Sequence, residues 1–557
     1  MKCKSPALNR SSSKNQCFTL KKIHVLTLSA VFALVLAGVP FCAPHAAGTP
    51  PETITDNNAG DYETDGNASF TQVNLSGQDY ASSITAVGSI SGSGLTGQRL
   101  INLNQANLTV SSSGGTLLTS SGFQNQAAIY VKNASLDVTS ELDNEMDLGN
   151  GNLFVYEGNV SIDSEQGSNI FKLYGIGMNS DRSTVPSLKI TAEQDNEFTT
   201  ADPVNDYSIW IRRGDFQISA GGSNIFNGAN LHFVGARGDS SIIKAGSDNI
   251  FKGTNLATFS GNLLLKAGGS NILNVELYCG LSYRDDYTGS LTLEAGDSNF
   301  VDSIVLDRWT DSADTMGTIS LRAGNLNDIG GGEDPAIDLP GMVGATFDIK
   351  APTNRLHGSD FAVLGAVNGT VMKLSAEKSN EITGGKAGIL FLAPSDAVWD
   401  PDPDSAEVLG LLYSEFGIYN YVYMADDNTV SLTAGKSNVI SANGADNSVG
   451  IGIAANASVV MSADEENRIY GSGSGAYIRS VASWEYLLYS PHTDSSSLTM
   501  STPSGVNSVE ECVENFVGGS FQFNRGKVSV GRRIQWLIPI WQPSNTAMAS
   551  ATAFPLF

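Results

Sequence analysis

The 557-residue chain has 32 basic and 57 acidic side chains, giving a formal charge of −25, with only 16% charged residues and 59 glycines. A surface this acidic repels nucleic acid and anionic lipid, which excludes a nucleic-acid-binding function. Sparse Glu, Lys and Arg beside abundant Gly, Ser, Thr and Asn predict an all-β chain of many short strands joined by turns.

Residues 1–47 read as a secretory signal peptide. Six basic residues (Lys2, Lys4, Arg10, Lys14, Lys21, Lys22) and no acids precede or flank the apolar stretch Val25–Val39, and the small residues Ala46, Ala47 and Gly48 follow it. That stretch falls short of the ~20 apolar residues of a spanning helix, so no integral membrane segment is expected once the signal is removed. Of five cysteines only Cys279 and Cys512 lie beyond it, and they read as lone thiols on separate parts of the fold. With five histidines and no metal-type Cys/His spacing, neither a metal nor a cofactor is expected. Residues 48–84, rich in Thr, Asp, Gly and Asn, read as an N-terminal cap or disordered entry.

Within 85–510, expected as one β-helical domain, one phrase dominates over roughly 130–510: apolar-x-apolar-x-Ala-Gly-x-Ser-Asn-x-apolar, as in Leu263–Leu273. Its closing asparagines are Asn144, Asn169, Asn196, Asn224, Asn249, Asn271, Asn299, Asn327, Asn354, Asn380, Asn438, Asn467 and Asn507. A period of roughly 27 residues is the signature of a solenoid. Two residues after each Asn the side chain is apolar, from Met146 and Phe171 to Ile469 and Val509, while the residue between varies freely. Period-two patterning on both sides of a turn, with a third strand upstream such as 152–156 or 207–211, predicts three strands per coil. The expected architecture is a right-handed parallel β-helix of roughly 13–15 coils.

The asparagines read as a structural ladder. Each is expected to turn a corner in the left-handed backbone region and to bond through its amide to the rungs above and below. Ala192, Ala220, Ala245, Ala267, Ala295 and their equivalents, four residues earlier, fit a tight interior site. The longer interval from Asn380 to Asn438 reads as two coils, the apolar run Val408–Tyr423 supplying a degenerate copy, while 396–406 and 476–497 read as loops leaving the rod. The last segment, 511–557, changes character: from Asn515 to Phe557 there is no acid, while Arg525, Lys527, Arg532 and Arg533 appear. It reads as an atypical tail from a truncated or frameshifted gene end.

No catalytic constellation emerges. Gly238-Asp239-Ser240 and Gly296-Asp297-Ser298 fall on repeat or turn positions, without the base partner that a nucleophilic serine needs. No stacked cluster of carboxylates with Arg and Lys, of the kind that acts on uronates, is apparent. The sharpest local signal is a repeated triplet, Arg213-Gly214-Asp215 and Arg237-Gly238-Asp239. It is a known integrin-type ligand, here expected to stack at one turn of successive coils as a pair of candidate adhesion turns.

The long basic signal, the acidic Gly/Ser/Asn-rich coil phrase and the cysteine poverty together resemble the passenger domain of a Gram-negative autotransporter (type V secretion) over about 48–510. The resemblance implies export to the cell surface or medium, a non-enzymatic adhesin or interaction role, and a host or bacterial surface protein or glycan as partner. It also implies a C-terminal translocator barrel, whose alternating lipid-facing strands are missing from this sequence. Without a translocator, a periplasmic location is expected. Two alternatives stand beside this reading: a β-helical polysaccharide lyase or hydrolase, and a non-functional autotransporter remnant.

Overall fold

A computed structural model describes residues 48–78, 80–123, 126–181, 185–200, 209–228, 231–234, 240–253, 256–260, 262–279, 290–306, 317–331, 335–339, 345–365, 369–391, 428–443, 449–453, 458–471, 474–478, 497–510, 520–524 and 527–530. All lie in the second of the two units into which the chain divides, Pro44–Phe557. The signal reading of 1–47 falls outside the described residues.

The fold is an all-β parallel solenoid with coils of about 28 residues. Three strands make each coil, and each strand pairs in parallel with its counterparts in the neighbouring coils. In one coil these are Gln126–Lys132, Ser135–Ser140 and Asn144–Asp147, which pair onward with Gly151–Tyr156, Asn159–Ser164 and Asn169–Leu173. We call the resulting sheets the first, second and third walls. Alternation places one face of every wall inside: Leu136, Val138, Met146, Leu153, Val155, Val160 and Ile162 are all buried. No coil can bury this face alone, so stability comes from stacking.

The asparagines open the third-wall strands and point inward. Asn144 is 1% exposed and the other twelve are fully buried. Each Nδ2 donates to the Oδ1 of the next rung at 2.8–2.9 Å, without a break from Asn144 to Asn507. The second N–H usually reaches a carbonyl near the end of the next second-wall strand, as from Asn224 to Lys244 at 2.9 Å and Asn249 to Lys266 at 3.0 Å. Buried amides are tolerated because donor and acceptor are both used. Two residues on, the rings of Phe171, Phe198, Phe226 and Phe251 stack at 4.8, 4.8 and 4.5 Å between centroids. That spacing matches the ~4.8 Å rise between strands of a sheet.

Left-handed backbone is found elsewhere. Among the described non-glycine residues only Gln105, Asn133 and Glu157 have positive φ, and all three occupy the corner between the first and second walls in successive coils. The ladder asparagines are ordinary strand residues; the side-chain amide, and not backbone tolerance, is what the position requires. The turn before them has its own close fit. A Cβ on Gly246, Gly268, Gly296 or Gly324 would collide with the carbonyl oxygen of the glycine one coil earlier.

Three boundaries differ from expectation. Asn380 bonds directly to Asn438, and Val371–Gly384 pairs with both Thr429–Ala434 and Ser437–Ala442. The 58-residue interval is therefore one coil, with 392–427 inserted between its first-wall strand Ala387–Phe391 and the second-wall strand Thr429–Ala434. No degenerate coil intervenes; Val408–Tyr423 and 396–406 fall outside the described residues. The 40-residue interval from Asn467 to Asn507 is likewise one coil, most of 476–497 lying outside the described residues. At the N-terminus, Thr53–Thr55, Asp61–Thr64 and Ala68–Phe70 already pair within the three walls, so the solenoid takes in the segment expected to be a cap or disordered. At the other end Ser520–Asn524 and Lys527–Val530 continue the second and third walls into the segment expected as an atypical tail.

The ladder yields a graded test. Asn249→Ala removes a rung and strands the Asn224 donor and the Asn271 acceptor; it should lower unfolding free energy by about 3 kcal/mol. Asn144 is the first rung, and its Oδ1 is buried without a hydrogen-bond partner. Asn144→Ala should therefore cost about half as much in urea titration, and equal losses would contradict a ladder bonded in one direction.

Candidate functional site

Outward positions of the walls are where function can reside, since the interior is filled by the apolar core and the ladder. Three outer features stand out, of which only the first is marked in the sequence.

Arg213, Gly214 and Asp215 sit at the corner between the first-wall strand Ile209–Ile211 and the second-wall strand Asp215–Ala220. Arg213 is half-buried, Gly214 buried and Asp215 exposed. Gly214 has φ +136°, and a Cβ there would meet the Met178 Cε at 2.6 Å and the Pro186 carbonyl oxygen at 2.7 Å. The glycine thus serves the corner, and the triplet lies within the coil frame. Arg237, Gly238 and Asp239 fall outside the described residues. The flanking register pairs Phe216 with Ser241.

The second feature is a charge cluster on the third wall. Arg355 lies in register between Asp328 and Glu381 and pairs with them at 3.6 and 3.4 Å, while His357 Nε2 is 3.1 Å from Asp328 Oδ1. No stacked charged cluster was expected, because these residues are separated in sequence by whole coils and meet only through the register. Asp328 is 20% exposed and the other three 36–44%, on a sheet face where ion pairs contribute about 0–1 kcal/mol each. Each carboxylate already holds a cationic or imidazole partner. Among the described residues no group of three or more His, Cys, Asp or Glu is placed to hold a metal ion.

The third feature is an open groove of about 510 Å³ on the outer face of the first wall. Its floor is Gly175 and Gly177, where one coil presents no outward side chain. In register on either side of Gly177 stand Phe154 and Trp210. The Phe154 ring leans into the space that a side chain at 177 would fill, its Cδ2 lying 2.6 Å from an ideal Cβ. Behind Phe154, Tyr130 stacks at 6.0 Å and 7°, and the Arg99 guanidinium lies 4.4 Å from the Tyr130 centroid. Asn152 and Tyr174 complete the rim. The Asn152 Oδ1 is buried without a hydrogen-bond partner. A volume in the few-hundred Å³ range, apolar walls and a few polar groups are the usual makings of a small-ligand site. In the sequence the aromatics are hidden by their spacing, since they fall on the first-wall strands, the least regular part of the repeat.

Compared with known proteins, the chain matches no family model, no curated protein and no solved structure.

Gly214 gives the test of corner against ligand. Gly214→Ala should destabilise the protein by about 1–3 kcal/mol through a strained φ and contact with the Pro186 backbone. Gln217→Ala, exposed on the adjoining strand, should stay within about 0.5 kcal/mol in the same denaturant titration. Equal tolerance at both positions would return the triplet to a purely recognition role.

Proposed function

We propose that this chain is an exported β-helical protein of autotransporter-passenger type that acts without catalysis as a surface-interaction rod, an adhesin in the broad sense. The observation that carries the reading is the division of labour within each coil. Inward positions repeat the same apolar, Asn and Gly requirements, whereas outward positions change from coil to coil and assemble local features such as the first-wall groove. A rigid frame with a variable exterior is how repeat solenoids display extended binding surfaces. The acidic net charge of −25 supports export in soluble form and disfavours anionic partners. The basic and then apolar order of the first 47 residues supports secretion. On this reading the partner is a surface protein or glycan, and the location is the cell surface or medium of a Gram-negative bacterium.

One observation favours the enzymatic alternative, the Asp328–Arg355–His357–Glu381 cluster, which brings carboxylates and a histidine together. A reducing-end assay of the purified chain on neutral and acidic polysaccharides separates the two readings, and turnover abolished by Asp328→Asn would establish catalysis.

For the interaction reading, the full chain should be expressed in a Gram-negative host. Externally added protease should remove it from intact cells, and cells carrying it should adhere to a host-cell layer above an empty-vector control. Paired Asp215→Glu and Asp239→Glu substitutions should leave adhesion unchanged, because the first triplet is held in the coil frame. A protein protected from protease and confined to the periplasm would overturn the surface role, while loss of adhesion in the paired variant would restore the triplet as its carrier.

A further inference from the structure

The first-wall groove carries an inference that rests on the interaction-rod reading and gives its partner a chemistry. We propose that the groove between Phe154 and Trp210 binds a neutral, hexose-based glycan, with a sugar ring seated in the space left between the Phe154 ring and Trp210.

The first argument is geometric. Phe154, Gly177 and Trp210 are consecutive register partners, so the two aromatic positions are separated by two coil rises, ~10 Å at their backbones, with a glycine between them. The Phe154 ring leans across Gly177, so the open part of the notch lies between that ring and Trp210, and it suits a ring-shaped group with apolar faces. The faces of an aromatic ring carry the negative lobes of its quadrupole and attract polarised C–H groups, which are what the faces of a pyranose with equatorial hydroxyls present. Tyr130 is already engaged, stacked on Phe154 and covered by Arg99, which leaves Phe154 and Trp210 as the rings bounding the notch.

Hydrogen bonding supplies the second argument. Asn152 stands in register with Gly175 beside the notch, and its Oδ1 is a buried acceptor without a partner. An unpaired buried acceptor costs about 1–3 kcal/mol, so a ligand hydroxyl that meets the Oδ1 once the Asn152 amide turns toward the groove gains by filling it. Hydroxyls are donors; carboxylates and phosphates at neutral pH are not.

Charge and backbone pairing narrow the class further. The chain as a whole is strongly acidic, so a polyanionic glycan meets net repulsion despite the Arg99 guanidinium, which is turned to Asn102 Oδ1 at 2.7 Å and to the face of Tyr130. An extended peptide would dock by adding a strand at a free sheet edge. The strands flooring the groove are paired on both sides, Gly151–Tyr156 to Gly175–Asn179 and the latter to Ile209–Ile211, and offer no such edge.

Calorimetric titration of the full chain with cellohexaose and N-acetylchitohexaose tests this, with a heparin hexasaccharide as the anionic comparison. At least one neutral hexasaccharide should bind with Kd of about 10 μM to 1 mM, the range of a shallow site. Trp210→Ala should weaken it about tenfold or more, and Asn152→Ala about three- to tenfold. Phe300→Ala, at an exposed ring on the third wall, should leave it unchanged. If Trp210→Ala fails to fold by circular dichroism, Asn152→Ala and Trp210→Phe decide the matter. No binding of either neutral sugar, preferred binding of the heparin fragment, or affinity indifferent to Asn152 and Trp210 would overturn the assignment. Cell adhesion persisting without sugar binding would remove the glycan and leave the interaction rod; sugar binding by a chain that never reaches the surface would do the reverse.

Discussion

The amide-to-amide hydrogen bond between stacked asparagines is the constraint on which this structure depends. A buried Asn side chain has two donors and an acceptor that have left water, and leaving one unmet costs about as much as the bond is worth. The register must therefore return an Asn to the same place in every coil, and does so from Asn144 to Asn507. Neighbouring requirements follow from that alignment. Apolar residues two positions later fall into one interior column, where four consecutive phenylalanines meet face to face. The preceding turn is held in step by a second column, in which Asp143, Asp195 and Asp248 alternate with Ser168, Ser223 and Ser270. Each of these aspartates accepts a hydrogen bond from the backbone N–H of the serine one coil later, at 2.6–2.8 Å. The alternation keeps like charges two coils apart.

Because position in the coil is set by the rung, intervening chain length is free to vary. Rungs are separated by 22 residues between Asn249 and Asn271 and by 58 between Asn380 and Asn438, with the same 2.8 Å bond at both places. A constant period therefore reads the longer interval as two coils where the fold has one. Counting residues assumes a constant contour length, whereas the fold counts rungs. The same reasoning accounts for the ends. The coils starting at Thr53 and ending at Val530 lack the Asn phrase, and a ladder of backbone bonds leaves no comparable mark in the sequence.

How much was legible follows from the same distinction. Interior positions were readable because every coil repeats them: the apolar pair before the turn, the Asn and the apolar residue after it are buried as their alternation implies. The backbone role given to the Asn was not readable, since Gln105, Asn133 and Glu157 share a left-handed corner without sharing a residue type. The outer features were least legible. Asp328, Arg355, His357 and Glu381, or Tyr130, Phe154 and Trp210, are unremarkable in sequence and become neighbours only when the register is known. Exterior chemistry on a solenoid is written across coils, perpendicular to the direction in which a sequence is read.

From Asn144 to Asn467 each rung donates to the asparagine of the later coil, and from Asn169 on each accepts from the asparagine of the earlier one. The stack therefore has two chemically different ends. Removing coils from the N-terminal side bares one side-chain acceptor, the situation already tolerated at Asn144. Removing them from the C-terminal side bares two donors at once, as the Asn249 amide would if the coil containing Lys266 and Asn271 were lost. Shortened forms of this solenoid are thus not interchangeable: for equal numbers of coils, trimming from the front leaves fewer side-chain hydrogen-bonding groups unmet.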